Sequence, residues 1–345
     1  MSLTSSDNYQ QLLEQISLTY THGRVAAIQA VNVQLIETYW QVGQHIVEFE
    51  QGGKIRADYG KALIASLATD LNLRHSKGFS RSNLIRIRQF YLAYPKGATA
   101  SHLLSWSHVV ELLKIDDPLE RGFYEQQCGH ERWSVRELKR QKDSALFLRL
   151  AASKDKAGIL QLAGQGKIVT QPSDLLREPY IFEFLKVPEP YHLSETQLET
   201  QLCDHLQQFL LELGKGFTFV GRQHRVTINN THYKVDLVFY HRILRCFVLV
   251  DLKINDVQHH DIGQMNLYLG YFANEENIEG DNPPIGIILS RNKDELLVEY
   301  ATYQMNSQLF VQKYQLYLPD HEALRRELEL TFQQSAEQIL REDKE

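Results

Sequence analysis

The segment from Tyr233 to Ile254, YKVDLVFYHRILRCFVLVDLKI, limits the folds open to this chain more than any other. It holds two apolar runs rich in β-branched and aromatic residues, and each carries an acid. Asp236 interrupts the first run, and Asp251, followed two residues later by Lys253, closes the second. Taking such charges out of water is costly unless a metal, a partner charge or a substrate compensates them. The two-residue period of a strand puts Asp251 and Lys253 on one face and turns Leu252 away. Two carboxylates and an ammonium converging at strand ends suit a hard divalent cation and an activated water, the chemistry of a nuclease. Taken alone, Asp251 and Lys253 could equally be a simple ion pair.

The flanking sequence supplies an order of elements. Leucines at 198, 202, 206, 210 and 213 have helical spacing, with Ser194 as N-cap and Gly214 as stop. Residues 217–228 read as a strand, and Asn229-Asn230 as a hairpin turn into the Asp236 strand. Downstream, Asp261 is expected to cap a helix running to Phe272, with Gln264 and Tyr268 four residues apart on one face. A buried strand follows at 285–290, then a helix over 290–303 and an extra strand over 310–318. Outside this order, Gln264 would be an ordinary exposed helix residue and Tyr268 a core aromatic.

Asp236 with Asp251-x-Lys253 resembles the signature of the PD-(D/E)XK nucleases, with Val235 in place of the proline and Asp251 where Glu is commoner. Longer segments (78–95, 106–108, 133–141, 178–185, 211–226 and 235–254) resemble the bacterial YhcG-like family. This resemblance implies an α+β, two-domain chain: an all-helical N-terminal domain, then a restriction-endonuclease-like αβββαβ core with a mixed sheet. It implies a metal-dependent endonuclease acting on nucleic acid, DNA being the expected partner. Asp236, Asp251 and the backbone carbonyl of Leu252 would bind Mg²⁺ or Mn²⁺. Glu199 would complete the metal shell directly or through water, with Glu195 one turn away as the alternative. Lys253 would orient or deprotonate the attacking water. Gln264 would hold that water or Lys253, and Tyr268 would shape the pocket. Arg222, His224 and Arg225 on the preceding strand are candidate phosphate contacts or plain surface residues.

A net charge of −6 looks wrong for such a partner until it is resolved along the chain. Between Arg74 and Arg149, 14 Lys and Arg face 8 Asp and Glu, so this stretch is basic and the remainder acidic, the C-terminal helix from Pro319 to Glu345 included. The N-terminal half reads as helices over 25–51, ending at Gly52-Gly53, over 59–73, and over 81–94 behind Ser80. Shorter ones start at Ser107 and at Asp117-Pro118, and a capping box Ser134-x-x-Glu137 opens a basic helix. Arg81, Arg86 and Arg88 could face phosphates or merely solvent, and the domain could instead bind a second copy or another protein.

Turn chemistry and lapsed periodicity over 151–190 place a domain boundary near residue 170, giving domains of 1–170 and 171–345. Three cysteines without paired spacing indicate neither disulfides nor zinc. No signal segment or run of about 20 apolar residues is present, so a cytoplasmic protein without membrane contact is expected. A nuclease fold that binds DNA or assembles a restriction, defence or recombination complex without cutting is the other reading.

Overall fold

The computed structural model describes residues 7–51, 60–75, 77–95, 97, 103–152, 154–177, 179–187, 193–326 and 328–330. The Gly52-Gly53 stop, Glu178 and the acidic tail beyond residue 330 lie outside them. Two compact units result, Met1–Arg140 and Gln141–Glu345.

The first unit is helical: α1 (Asp7–Gln51), α2 (Gly60–His75), α3 (Arg81–Ala93), α4 (Trp106–Leu112), α5 (Pro118–Glu131) and, at the divide, α6 (Val135–Asp143). Helix α1 begins well before the expected residue 25. The caps are those the sequence indicates: Ser80 accepts from the Asn83 amide, Asp117 from Leu119 and Glu120, and Ser134 from Glu137. Helix α4 starts one residue earlier than expected, behind Ser105. Leu84, Ile87 and Phe90 bury one face of α3. Gly43 of α1 lies so close to this helix that an added Cβ would stand 2.4 Å from the Ile87 carbonyl.

The second unit begins with α7 (Leu146–Ala151) and α8 (Lys156–Gln165), then β1 (Tyr180–Ile181). The divide thus falls ahead of the boundary expected near residue 170. The physical reason is a buried ion pair: Arg149 of α7 meets Glu212 at 3.0 Å, and Arg177 meets the same carboxylate at 3.4 Å. Glu212 also accepts from the Ile181 amide at 2.9 Å, which fastens β1.

Next come α9 (Glu195–Asp204) and α10 (Leu206–Leu213). The sequence reads as one helix here, but His205 breaks it with non-helical torsions. Strands β2 (Phe217–Ile228) and β3 (Thr231–His241) form the hairpin, with Asn229 and Asn230 both at positive φ as a two-residue turn requires. Then follow β4 (Cys246–Lys253), α11 (His259–Tyr271), β5 (Ile285–Ser290), α12 (Glu295–Ala301) and β6 (Gln308–Gln315). Asp261 is not the N-cap of α11. Gln258 holds that position, and Asp261, in the first turn, accepts from its amide at 2.8 Å. Helix α12 is shorter than expected, because its cap is Asp294 rather than Ser290.

The sheet order is β1-β6-β5-β4-β3-β2, antiparallel from β2 to β4 and parallel from β4 to β1. Helices cover both faces. Leu198, Leu202, Phe209 and Leu213 of α9 and α10 pack with Phe239, Val248 and Ile287. Ile262, Met265 and Leu269 of α11 pack with Val238, Leu249 and Ile288 on the other side. Residues 248–252 of the central strand β4 are buried without interruption, as expected for a strand covered on both faces. Gly286 lets α11 close on β5, since a Cβ there would meet the Met265 side chain at 2.7 Å. Among the described residues no helix is long and apolar enough to cross a membrane.

Candidate active site

The paired part of β3 and β4 ends at Leu237 and Val250, and the next residues in register are Asp236 and Asp251. There Asp236 replaces a backbone acceptor: its Oδ2 takes the Leu252 amide at 2.8 Å. Leu252 therefore enters the site through its N–H. Asp236 and Asp251 stand side by side across the two strands. Burial raises both pKa values, and the neighbouring Asp236 charge helps push Asp251 up to about 7. Two acids thus meet where the β3–β4 pairing stops.

Lys253 stands beside them, with Nζ 2.8 Å from Asp251 Oδ2 and 3.5 Å from Asp261 Oδ1. Burial works against its charge, but Asp251, then Glu195 and Asp261, hold the ammonium well above its ordinary pKa. Asp261 was expected only as a helix cap; the first turn of α11 brings it to Lys253. Glu195, first residue of α9, accepts from the Ile254 amide at 3.3 Å.

Glu199 is buried on α9 and reaches the acids indirectly. The Gln223 amide donates to Glu199 Oε2 at 2.6 Å and to Asp236 Oδ1 at 3.1 Å. Gln223 faces Asp236 in the hairpin register, between the pairs Arg222–Leu237 and His224–Val235. The sequence does not single it out, because the run Gly221–Arg225 contains no apolar residue against which one polar side chain would stand out.

Gln264 and Tyr268 do meet, the amide donating to the hydroxyl, and Tyr268 donates in turn to the Lys234 carbonyl at 3.0 Å. The pair braces α11 against β3, two residues from Asp236. The lysine it was expected to hold is held by carboxylates instead. Burial raises the Tyr268 pKa, and the Asp251 and Asp236 charges add to it.

On β2, Arg222 and Arg225 are exposed, and Arg225 reaches the His232 ring across the hairpin at 2.6 Å. His224 lies 3.6 Å from Glu276. In the helical unit Arg81 and Arg86 are exposed on α3, whereas Arg88 is paired with Glu50 at 2.6 Å.

Among the described residues no three His, Cys, Asp or Glu side chains are arranged to cage a metal ion. What a cation would meet is the Asp236–Asp251 pair. Its donors are all hard oxygens. Mg²⁺ characteristically binds through one or two carboxylates and completes its shell with water and substrate phosphate, so the pair fits it.

A mixed sheet with helices on both faces, an Asp within one strand and Asp-x-Lys closing its neighbour, defines the PD-(D/E)XK nuclease class. Residues 173–329 match the YhcG PDDEXK nuclease domain, and residues 15–149 match the DUF1016 N-terminal domain. The chain is 36% identical to the "Putative nuclease YhcG" of Escherichia coli (strain K12), over 95% of this chain and 96% of that one. It belongs to the YhcG family of PDDEXK nucleases. Two solved structures show partial likeness. A repair endonuclease from Pyrococcus abyssi is 19% identical (38% of this chain, 50% of that one, TM-score 0.26). An EndoMS–dsDNA complex is 15% identical (39% and 51%, TM-score 0.26). The chain spans about half the length of these two, a likeness too partial to bear on function.

Proposed function

We propose that this nuclease is a metal-dependent endonuclease that hydrolyses phosphodiester bonds in DNA. The observation that carries this reading is half-buried Asp236 beside buried Asp251, with Lys253 Nζ 2.8 Å from Asp251. Asp236 and Asp251 would hold Mg²⁺ or Mn²⁺, with the Leu252 carbonyl as a further donor and Glu199 one hydrogen bond behind. When bound, the ion would polarise a phosphodiester oxygen and lower the pKa of a water.

The chain's own groups divide the remaining work. Lys253 would orient or deprotonate the water and offset charge developing on the phosphate. Asp261 and Asp251 hold its ammonium in place. Gln264 and Tyr268 fix the distance between α11 and β3, and with it the width of the cleft.

The DNA assignment rests on the basic residues of the helical unit after Arg74, of which Arg81 and Arg86 are exposed and suit a phosphate backbone. In this reading the unit ending at Arg140 binds nucleic acid or a partner protein, and the unit that follows it cuts. The test is incubation of the full chain with labelled duplex, single-stranded and branched DNA and with RNA, in Mg²⁺, in Mn²⁺ and in a chelator. Internal cleavage of a DNA that stops in chelator is expected. Cleavage of RNA alone would overturn the substrate assignment, and no cleavage of any of them would overturn the enzyme.

A further inference from the structure

We propose that Gln223 is a positioning residue for the metal-binding carboxylates: its amide fixes the plane of Asp236 and secures Glu199 behind it. The inference rests on the metal-dependent reading above and deepens it.

The backbone is the first indication. Gln223 sits inside β2 at φ +48°, a left-handed conformation unfavourable for a residue with a Cβ. Its effect shows in the neighbours. Residues two apart on a strand normally share a face, yet Arg222 is in register with Leu237 of the core under α9 and α10, while His224 packs at a tilt against Phe272 beyond α11. Those contacts lie on opposite faces of the sheet. The reversal at Gln223 breaks the alternation and leaves its own side chain directed at the site.

The hydrogen bonds are the second. An amide NH₂ has two protons, and both are used, at 2.6 Å on Glu199 and 3.1 Å on Asp236. Asp236 is therefore gripped at each oxygen by a different strand: Oδ2 by the Leu252 amide of β4, Oδ1 by Gln223 of β2. A carboxylate held at both ends cannot rotate, and its remaining lone pairs stay aimed at Asp251. Among the described residues Gln223 is the hydrogen-bond partner that buried Glu199 has. Without the amide, two carboxylates would face each other with nothing between them.

The experiment is Mn²⁺ titration of the full chain by calorimetry, with metal-free melting recorded alongside. Gln223→Met keeps length and bulk but cannot donate; Gln223→Gly removes the side chain and accepts the backbone conformation. Both variants should bind Mn²⁺ about 10- to 100-fold more weakly than wild type. Gln223→Gly should melt within a few degrees of wild type without metal, because glycine relieves the torsion. Adding Glu199→Gln to Gln223→Met should cost little more affinity, since the two act as a unit. Wild-type affinity in Gln223→Met would overturn the proposal by reducing Gln223 to a space filler. So would weak binding that merely follows a collapse in melting temperature in both variants. If wild type itself binds no Mn²⁺, the metal-dependent reading fails and this inference with it.

Discussion

Asp236 and Asp251 stand opposite each other one residue beyond the paired part of β3 and β4, with Lys253 Nζ 2.8 Å from Asp251. The geometry is unfavourable for the free protein, because two buried acids compete for charge with one lysine beside them. It becomes favourable when a divalent cation compensates the pair.

Divalent metal should therefore raise the melting temperature of the wild type, by the equivalent of about 2.7 kcal/mol at a hundredfold excess over Kd. Asp251→Asn should lose that rise while melting no lower than wild type in chelator, since it deletes a buried charge and keeps the shape. Scanning fluorimetry with and without Mn²⁺ measures both. An undiminished metal-induced rise in Asp251→Asn would place the metal elsewhere.

Glu212 tests what holds the start of the second unit together. It compensates two fully buried guanidiniums and the Ile181 amide. Glu212→Ala should destabilise by about 3–5 kcal/mol, as removal of one partner of a buried ion pair does. Urea denaturation provides the value, and a loss below about 1 kcal/mol would mean the network is not structural.

His241 gives a pH dependence of known sign. Burial lowers its pKa, and its ring is neutral, donating from Nε2 to the Lys215 carbonyl and accepting the Leu244 amide at Nδ1. The unfolded chain therefore takes up the proton first. Stability should be flat above the ordinary histidine range, near pH 6.5, and fall as pH drops through it. His241→Gln should lower stability at pH 8 and flatten the decline. Urea midpoints from about pH 8 to about pH 5.5 test the slope, and an unchanged slope in the variant would assign the decline to another group.

Much of this architecture is visible in the residues themselves. The strands 217–228, 231–241, 246–253 and 285–290 announce themselves by β-branched runs and the Asn229-Asn230 turn, and the site acids by being charges in apolar strands. What is hidden depends on tertiary contacts. Helix α8 lies in a stretch that reads as turns, and the break at His205 interrupts an unbroken leucine repeat. Asp261 looks like a cap until the start of α11 at His259 places it in the first turn, facing Lys253. Gln223 is concealed by a polar run, because the torsion that selects it leaves no mark in composition.

The arginines of α3 separate by contact. Arg81 and Arg86 are exposed, while Arg88 is held by Glu50. If the helical unit contacts DNA phosphates, Arg81→Ala with Arg86→Ala should weaken binding by the full chain. The slope of log K against log salt should then become shallower by about 0.9 per lost contact. Arg88→Ala should leave that slope unchanged. Anisotropy titrations across salt concentrations decide it, and equal slopes for wild type and the double variant would exclude α3 as a phosphate contact.

Metal-dependent cleavage by wild type, Asp251→Asn and Asp251→Glu, compared on one labelled DNA substrate, tests the central claim most directly. Asp251→Asn should lose orders of magnitude in rate while remaining folded, because the carboxylate that would hold the ion is gone. Asp251→Glu should keep cutting, since it preserves the charge and lengthens the reach by one methylene. Undiminished metal-dependent cleavage by Asp251→Asn would contradict the account.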